Sequence, residues 1–231
     1  MYDIENYYNA ETIKEAVTLL KEHPEARIIS GGSDVLIKIR EGKLAGTSLV
    51  CIRDIKELKG IIKMDSGDIY IGAGTTFSHI TSNPVIQENI PVLGEAVDQV
   101  GGPQIRNIGT IGGNICNGAV SADSAPALFS LNAMVRTADG SGGRTVPIHD
   151  FYLGPGKVDV KPGELVTHIL IPEKEYTGYH GHYIKYSMRR AMDIATLGCC
   201  VVSRINPSTD ILEDIRITFG VAAPVPLRCV N

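Results

Sequence analysis

The sequence predicts an α+β fold made of a small α/β unit, a larger mixed α+β unit and an antiparallel C-terminal segment. Amphipathic helices alternate with short strands up to about residue 58, and a mixture of hairpin and helix patterns follows. From about residue 177 the pattern is that of β-strands. We therefore expect three domains, at 1–58, 59–176 and 177–231.

The first unit begins with a helix whose N-terminus is marked by a capping box at Thr12 and Glu15. This helix carries its apolar residues on one face and ends before Pro24. The elements predicted after it are a strand at 27–30, a helix near 35–41 and a strand at 48–52.

The second unit opens with a hairpin, in which strands at 61–63 and 69–71 are joined by the turn 65–68. The elements predicted after it are helices at 77–82, 91–100 and 123–131 and strands at 133–137, 144–147 and 164–171. The last segment is predicted as strands at 183–187, 194–204 and 211–221.

The most informative stretch is the polar, glycine-rich segment 104–118, which is predicted as a long loop. Its glycines are Gly109, Gly112, Gly113 and Gly118. Glycines let the backbone approach a ligand closely, and their exposed N–H groups can hold an anion. The segment therefore suits the diphosphate of a large nucleotide, although it matches neither the Rossmann fingerprint nor the P-loop.

A second glycine turn strengthens this interpretation. The predicted strand at 27–30 leads into Gly31-Gly32-Ser33-Asp34 and then into a helix. The start of a helix after a glycine turn favours negative charge, because unpaired N–H groups and the helix dipole point at the ligand. A glycine pair after a strand is usually a plain turn, but two such segments together favour a dinucleotide.

Composition excludes several classes of function. The chain has 231 residues and a net charge of −4, without a basic block, so nucleic acid is not an expected partner. No apolar run approaches the roughly 20 residues of a membrane span, and the N-terminus lacks the core of a signal peptide. We expect a cytoplasmic protein with no membrane span.

No metal site and no catalytic side chain are predicted. The five cysteines form no C-x-x-C pair, and no Ser–His–Asp or Cys–His constellation is evident. Cys51, Cys199 and Cys200 lie in apolar runs and are expected to be buried thiols. His180 and His182 are expected to be solvated in a loop.

Several segments together resemble a known family. They are Ser30–Leu36, Ile71–Thr76, Gln104–Gly118, Ser121–Pro126 and Lys185–Ile194. In these segments the chain resembles the FAD-binding subunit of the molybdenum hydroxylases, a family that includes xanthine dehydrogenase and carbon monoxide dehydrogenase. The form of residues 114–118 is most similar to bacterial xanthine dehydrogenase subunits.

The resemblance implies a two-part FAD-binding fold with the cofactor in the crevice between its parts. The cofactor-binding positions that it implies are Ile28, Ile29, Ser30, Gly31, Gly32, Ser33, Asp34, Val35, Val100, Thr110, Ile111, Gly112, Gly113, Asn114, Asp123, Val160 and Lys185. It also implies an incomplete antiparallel C-terminal domain, because family members continue for several dozen residues past Arg228.

By resemblance, the chain is an FAD-dependent oxidoreductase subunit in a hetero-oligomer. Electrons would leave a purine at the molybdopterin of a large subunit, cross the 2Fe-2S clusters of a small subunit and reach FAD here. NAD+ or another acceptor would then receive them. Other open readings are the FAD subunit of a carbon monoxide, nicotinate or other aromatic dehydrogenase, a non-catalytic nucleotide-binding scaffold, and a flavoenzyme of the vanillyl-alcohol-oxidase type.

Some side chains have a simpler explanation. Asp123 has the position of a helix N-cap, and Lys185 lies on the face of a strand that would ordinarily be solvated. Arg106 is either a surface charge or a group that binds the nucleotide or braces the segment. Asp193 could cap the chain locally or pair with a neighbouring arginine.

Overall fold

The computed structural model describes residues 2–230 and confirms the α+β class. In the first unit, a parallel sheet in the order β1-β3-β2 is covered by helices. Its elements are β1 (Ile4–Asn9), α1 (Ile13–Glu22), β2 (Arg27–Ile29), α2 (Val35–Arg40) and β3 (Thr47–Cys51).

Helix α1 forms as the sequence indicates. The Thr12 hydroxyl accepts a hydrogen bond from the N–H of Glu15 at 3.1 Å, which caps the helix. The Glu15 carboxylate accepts from the N–H of Glu11 rather than from that of Thr12, so the capping box is shifted by one residue. Ala16, Val17 and Leu20 are buried, and they fix the helix against the sheet.

The second unit contains an antiparallel sheet in the order β4-β5-β10-β6-β7 and a two-stranded ribbon, β8-β9. Its strands are β4 (Ile61–Lys63), β5 (Ile69–Gly72), β6 (Met134–Ala138), β7 (Thr145–Pro147), β8 (Tyr152–Gly154), β9 (Lys157–Val158) and β10 (Leu165–Ile171). Its helices are α3 (Phe77–Ser82), α4 (Pro84–Asn89), α5 (Pro91–Asp98), α6 (Pro103–Ile108), α7 (Ile111–Cys116), α8 (Ser124–Ser130) and α9 (Ile148–Phe151).

The glycine-rich segment differs from the expected long loop. It folds into α6 and α7, which are joined at Gly109 and Thr110. The Thr110 side chain caps α7 by accepting from the N–H of Gly113. Pro103 starts α6, a position where its missing N–H costs nothing.

The C-terminal segment forms an antiparallel sheet in the order β11-β12-β13-β14. Its strands are β11 (Tyr179–Tyr186), β12 (Leu197–Asn206), β13 (Ile211–Gly220) and β14 (Leu227–Arg228). His180 and His182 lie within β11 and not in a loop, which corrects the expectation from the sequence. The bounds of the three domains stay a prediction of the sequence.

One face of this sheet packs against α5 and α8, where Tyr183, Cys200 and Val202 join the main core. We call the opposite side the outer face. Strand register places on it the residues Ile184, Tyr186, Leu197, Cys199, Val201, Ile215, Ile217, Phe219 and Leu227. Several of them are largely exposed, including Ile184 at 60% and Tyr186 at 64%.

The burial of the thiols agrees with the sequence in part. Cys51 and Cys200 are buried as predicted, whereas Cys199 is only partly buried.

Between residues 2 and 230, no helix has the length and apolar character needed to cross a bilayer.

Candidate functional site

The turn after β2 touches the junction between α6 and α7. A Cβ added to Gly31 would overlap the main-chain carbonyl of Ile108 and would lie 3.2 Å from the Cα of Gly109. Only a residue without a side chain permits this approach. The two glycine segments are therefore direct neighbours in the structure.

A cavity of about 220 Å³ opens beside this junction, lined in part by Ser30 and Thr110. Arg53, Lys59 and His79 also line it and bring basic groups to its wall. These three residues were not predicted from the sequence, because they lie outside both glycine segments. Their positions just after β3 and within α3 become meaningful only when the units are packed together.

The first turn keeps its main-chain donors free. Within the described residues 2–230, the N–H groups of Gly31, Gly32, Ser33 and Asp34 donate to no protein acceptor. Gly32 has a φ of 73°, which favours glycine and lets the chain enter α2. Successive free N–H groups of this kind are what a bound anion requires.

The acid beside this turn is paired. Lys38 lies 2.6 Å from one carboxylate oxygen of Asp34. Asn117 bridges the two side chains, because its amide oxygen accepts from Lys38 at 2.9 Å and its amide nitrogen donates to Asp34 at 3.4 Å. The negative charge of Asp34 is thus balanced locally, and α2 is tied to the end of α7.

The donors at the start of α7 are engaged within the protein. The N–H of Ile111 donates to the carbonyl of Thr75 at 3.1 Å, and that of Gly112 donates to Ala73 at 2.9 Å. The N–H of Gly113 donates to the Thr110 hydroxyl at 3.2 Å. The expectation of exposed main-chain donors is therefore met by the first turn and not by residues 111–113.

Gly112 has a packing role that the sequence did not reveal. A Cβ at this position would lie 2.6 Å from the Cβ of Ala73 and 2.7 Å from its carbonyl oxygen. The missing side chain lets α7 pack against the segment after β5. This contact holds the second half of the site in place.

Asn114 presents a side-chain donor. The Ser124 hydroxyl donates to its amide oxygen at 2.6 Å, which fixes the orientation of the amide. Within residues 2–230, the amide nitrogen makes no hydrogen bond to the protein. Asn114 is half-buried, so its two N–H groups are available to a ligand.

Asp123 and Lys185 form a buried ion pair, with 2.9 Å between the ammonium nitrogen and a carboxylate oxygen. Their side chains are only 6% and 7% exposed. Tyr183 donates to the other carboxylate oxygen at 2.7 Å, and Lys185 also donates to the carbonyl of Gln99 at 2.9 Å. Lys185 is therefore not on a solvated face, and Asp123 does not cap α8 with its side chain.

Burial raises the pKa of Asp123, while hydrogen bonds from Lys185 and Tyr183 act in the opposite direction. Burial also raises the pKa of Tyr183, and the neighbouring carboxylate adds to the effect. The phenol therefore stays protonated and acts as a donor to Asp123. Tyr183 was not predicted as a site residue, because its partner Asp123 lies 60 residues away in the sequence.

The apolar positions of the predicted site lie at the edges of the cores. Ile29 and Ile111 are buried, at 8% and 0% exposure. Ile28, Val35, Val100 and Val160 are partly buried against the neighbouring clusters. Direct contact of these positions with a cofactor stays a prediction.

Arg106 braces its own segment. It donates to the carbonyls of Val100 and Gly101 and lies 3.2 Å from a carboxylate oxygen of Asp98. Asp193 pairs with Arg189 at 3.3 Å and accepts from its N–H at 2.8 Å. Both arrangements were among the alternatives left open by the sequence.

The polar groups of the predicted site thus come from the turn after β2, from α7, from the start of α8 and from β11. They form a chain of contacts from Gly31 through the α6–α7 junction to Asn114, and through Ser124 and Asp123 to Lys185. In residues 2–230, no group of three or more His, Cys, Asp and Glu side chains is arranged to hold a metal ion.

Comparison with known proteins gives this arrangement its context. Residues 2–174 match the family described as the FAD binding domain in molybdopterin dehydrogenase, and residues 182–231 match the CO dehydrogenase flavoprotein C-terminal domain. The chain is 40% identical over 231 residues to the putative xanthine dehydrogenase FAD-binding subunit XdhB of Escherichia coli (strain K12), covering 99% of this chain and 78% of that protein.

More distant relatives are also chains of dehydrogenases. The chain is 32% identical to the glyceraldehyde dehydrogenase medium chain of Sulfolobus acidocaldarius, covering 98% of this chain and 78% of that one. The solved carbon monoxide dehydrogenase of Hydrogenophaga pseudoflava contains a chain that superposes with a TM-score of 0.91 at 31% identity, over 99% of this chain and 78% of that one. The chain therefore belongs to the FAD-binding family of the molybdopterin dehydrogenases, and it is an oxidoreductase subunit whose cofactor is FAD.

Proposed function

We propose that this chain is the electron-transfer flavin subunit of a xanthine dehydrogenase-type complex. The observation that carries the proposal is the chain of contacts from the first glycine turn, with its free donors, through the α6–α7 junction to Asn114 and the Asp123–Lys185 pair, in a chain 40% identical to a xanthine dehydrogenase FAD subunit. In this proposal, electrons arrive from iron–sulfur clusters on a partner and leave to NAD+ or another acceptor.

The residues present fit FAD by the chemistry of their donors. Four free N–H groups at Gly31–Asp34 suit a diphosphate, and Arg53 and Lys59 add positive charge near the same junction. The Asn114 amide and the third ammonium hydrogen of Lys185 suit the hydroxyl and carbonyl groups of the nucleotide. Half-buried Val100 and Val160 offer apolar surface for a ring.

When bound, FAD would supply the redox chemistry. The protein's own residues bind and orient the cofactor. The first turn holds the anion, Asn114 and Lys185 fix the orientation, and the apolar positions exclude water. In this proposal the Asp123–Lys185 pair sets the electrostatic environment on one side of the crevice.

We also propose that the complex contains a molybdopterin-binding large subunit and an iron–sulfur small subunit. Hydroxylation of the substrate would take place on the large subunit. A second candidate function is the FAD subunit of a carbon monoxide dehydrogenase, because this chain is also 32% identical to the medium chain of that enzyme from Hydrogenophaga pseudoflava. Its lower identity places this candidate second.

The decisive experiment is purification of the native complex from its source. We expect three kinds of subunit, bound flavin, molybdenum and iron, and xanthine-dependent reduction of NAD+. The same preparation assayed with carbon monoxide and nicotinate separates the candidate substrates. A colourless complex, or a flavin that no substrate reduces, would contradict the proposal and favour a non-catalytic scaffold.

A further inference from the structure

The Asp123 carboxylate is buried, and both of its oxygens are engaged by residues of β11. Tyr183 reaches one oxygen at 2.7 Å and Lys185 reaches the other at 2.9 Å. These two side chains lie on the same face of the strand, two residues apart. The C-terminal sheet thus places a matched pair of donors on the N-terminus of α8.

The structure holds the phenol of Tyr183 firmly in this position. The main-chain N–H of Tyr183 donates to the Glu95 carboxylate of α5 at 3.2 Å, which fixes the main chain at this position. On the neighbouring strand, Gly198 leaves room for the ring, because a Cβ there would lie 2.8 Å from the phenol oxygen. The hydroxyl therefore points at Asp123 and at no alternative acceptor within residues 2–230.

Loss of this hydroxyl would leave one oxygen of a buried carboxylate without its donor. An unsatisfied buried acceptor favours the neutral acid, since protonation removes the charge that burial penalises. The charged groups that face this cluster are Lys185 on β11 and the Glu95–His182 pair between α5 and β11. Of these, Lys185 alone contacts Asp123, so within residues 2–230 the Tyr183 phenol is the only other side-chain donor to the ionised carboxylate.

We propose that Tyr183 is a positioning residue that keeps the Asp123 carboxylate ionised and paired with Lys185 where the two meet FAD. This inference rests on the proposed function, because it takes Asp123 and Lys185 to be part of the FAD site. Tyr183 acts through Asp123 and need not touch the cofactor itself.

The test is the pH dependence of FAD binding to the full chain, stripped of flavin and titrated with FAD. Protonation of Asp123 should weaken binding as the pH falls through the pKa of this carboxyl. Tyr183→Phe removes a donor that favours the charged form, so this pKa should rise and the weakening should begin at a higher pH. Between the two transitions, a pKa rise of about one unit would make the affinity of Tyr183→Phe up to about tenfold weaker than that of the parent protein, and above both transitions the two affinities should agree.

Tyr176→Phe is the matched control. Tyr176 is also buried and its hydroxyl also donates, but to the carbonyl of Gly67 in the turn between β4 and β5 and not to Asp123. We expect this variant to keep the affinity and the pH profile of the parent protein. Equal pH profiles for Tyr183→Phe and the parent would overturn the inference, even if the affinity of Tyr183→Phe were lower.

Asp123→Asn distinguishes the assignment of Asp123 to the FAD site from the role of Tyr183. If this variant binds FAD as the parent does at every pH, the assignment of Asp123 to the FAD site fails, and the inference fails with it. If it binds weakly and without the acid transition, while Tyr183→Phe is unchanged, only the role of Tyr183 is wrong. Should Tyr183→Phe not fold, the double variant Y183F/D123N, which has no carboxylate at position 123 for the phenol to support, should fold and bind like D123N.

Discussion

At the scale of the residue, single atoms decide how the site is built. Gly31 and Gly112 both lack a side chain because a neighbouring backbone occupies the space, although their roles in the site differ. Gly31 lets a turn with free donors touch the α6–α7 junction. Gly112 lets α7 rest on Ala73, and its own N–H is already engaged there. The same residue type in the two segments therefore has two different roles: Gly31 permits a close approach of a turn with free donors, and Gly112 permits helix packing.

Replacing Gly31 with valine should separate the first turn from the α6–α7 junction. The added atoms overlap the Ile108 carbonyl, and overpacking of this kind costs about 1–3 kcal/mol of the free energy of unfolding. We expect a lower urea midpoint and loss of most FAD binding. Gly94→Ala in α5 is the control, since its Cβ would meet only Ile86 at 3.5 Å and should leave both measurements close to the parent's.

At the scale of the element, the C-terminal sheet is fastened to the rest of the chain by Arg216 on β13. Its guanidinium lies 3.0 Å from Glu175 and 2.8 Å from Asp214, and it donates to the carbonyl of Ser130 at the end of α8. It also stacks over the ring of Tyr179 at 4.2 Å. One buried side chain thus joins two strands, α8 and the connection before β11.

Arg216→Met should be strongly destabilising. The change leaves Glu175, whose side chain is only 14% exposed, with the exposed Lys174 at 3.9 Å in place of its buried cation, and breaking a buried pair costs about 3–5 kcal/mol of the free energy of unfolding. Urea denaturation at neutral pH measures the loss. Arg204→Met is the control, because its pair with Glu213 is exposed and should be worth less than about 1 kcal/mol. Equal losses for the two variants would contradict the fastening role of Arg216.

The sequence predicted the elements whose local signals agree with their packing. The capped helix α1 and the β4–β5 hairpin are examples, since capping, periodicity and turn chemistry all act within a few residues. Strand β1 was missed because Ile4–Asn9 is largely polar and mostly exposed, and only pairing with β3 makes it a strand. Helix α7 was missed because its glycines disfavour a helix until Ala73 supports it.

The candidate site was predictable only in part, for a similar reason. Resemblance placed Asp123 and Lys185 in one site, and the structure brings them into contact. Tyr183 and Ser124 were given no role in the site, because each acts through a partner that no fixed spacing relates to it. Arg53, Lys59 and His79 were missed because a cavity between units has no pattern in a single segment.

At the scale of the whole molecule, the outer face of the C-terminal sheet leaves a broad apolar surface exposed. Ile184, Ile215 and Leu227, on three different strands, are 60%, 45% and 44% exposed. A contiguous apolar patch of this kind favours association with another surface. The fold of the described residues therefore carries one side that water solvates poorly.

Charging the outer face should keep the isolated chain dispersed. We expect the parent chain to bind a hydrophobic dye and to associate as its concentration rises, and the double variant I184E/I215K to do both much less. Light scattering over a concentration series measures the association. Ile62→Thr is the control, because Ile62 is 61% exposed on β4, outside this sheet. A parent chain that stays monomeric and binds no dye would contradict this prediction.

The unequal donors of the two glycine segments have a consequence for amide hydrogen exchange. Gly31, Gly32, Ser33 and Asp34 have unprotected amides, so their hydrogens should exchange rapidly in flavin-free protein and slow markedly on loading. The amides of Ile111 and Gly112 are already bonded to Thr75 and Ala73, so they should exchange slowly in both states. FAD binding should therefore slow amide exchange at residues 31–34 and leave it unchanged at residues 111 and 112, because the second segment is already ordered without the cofactor.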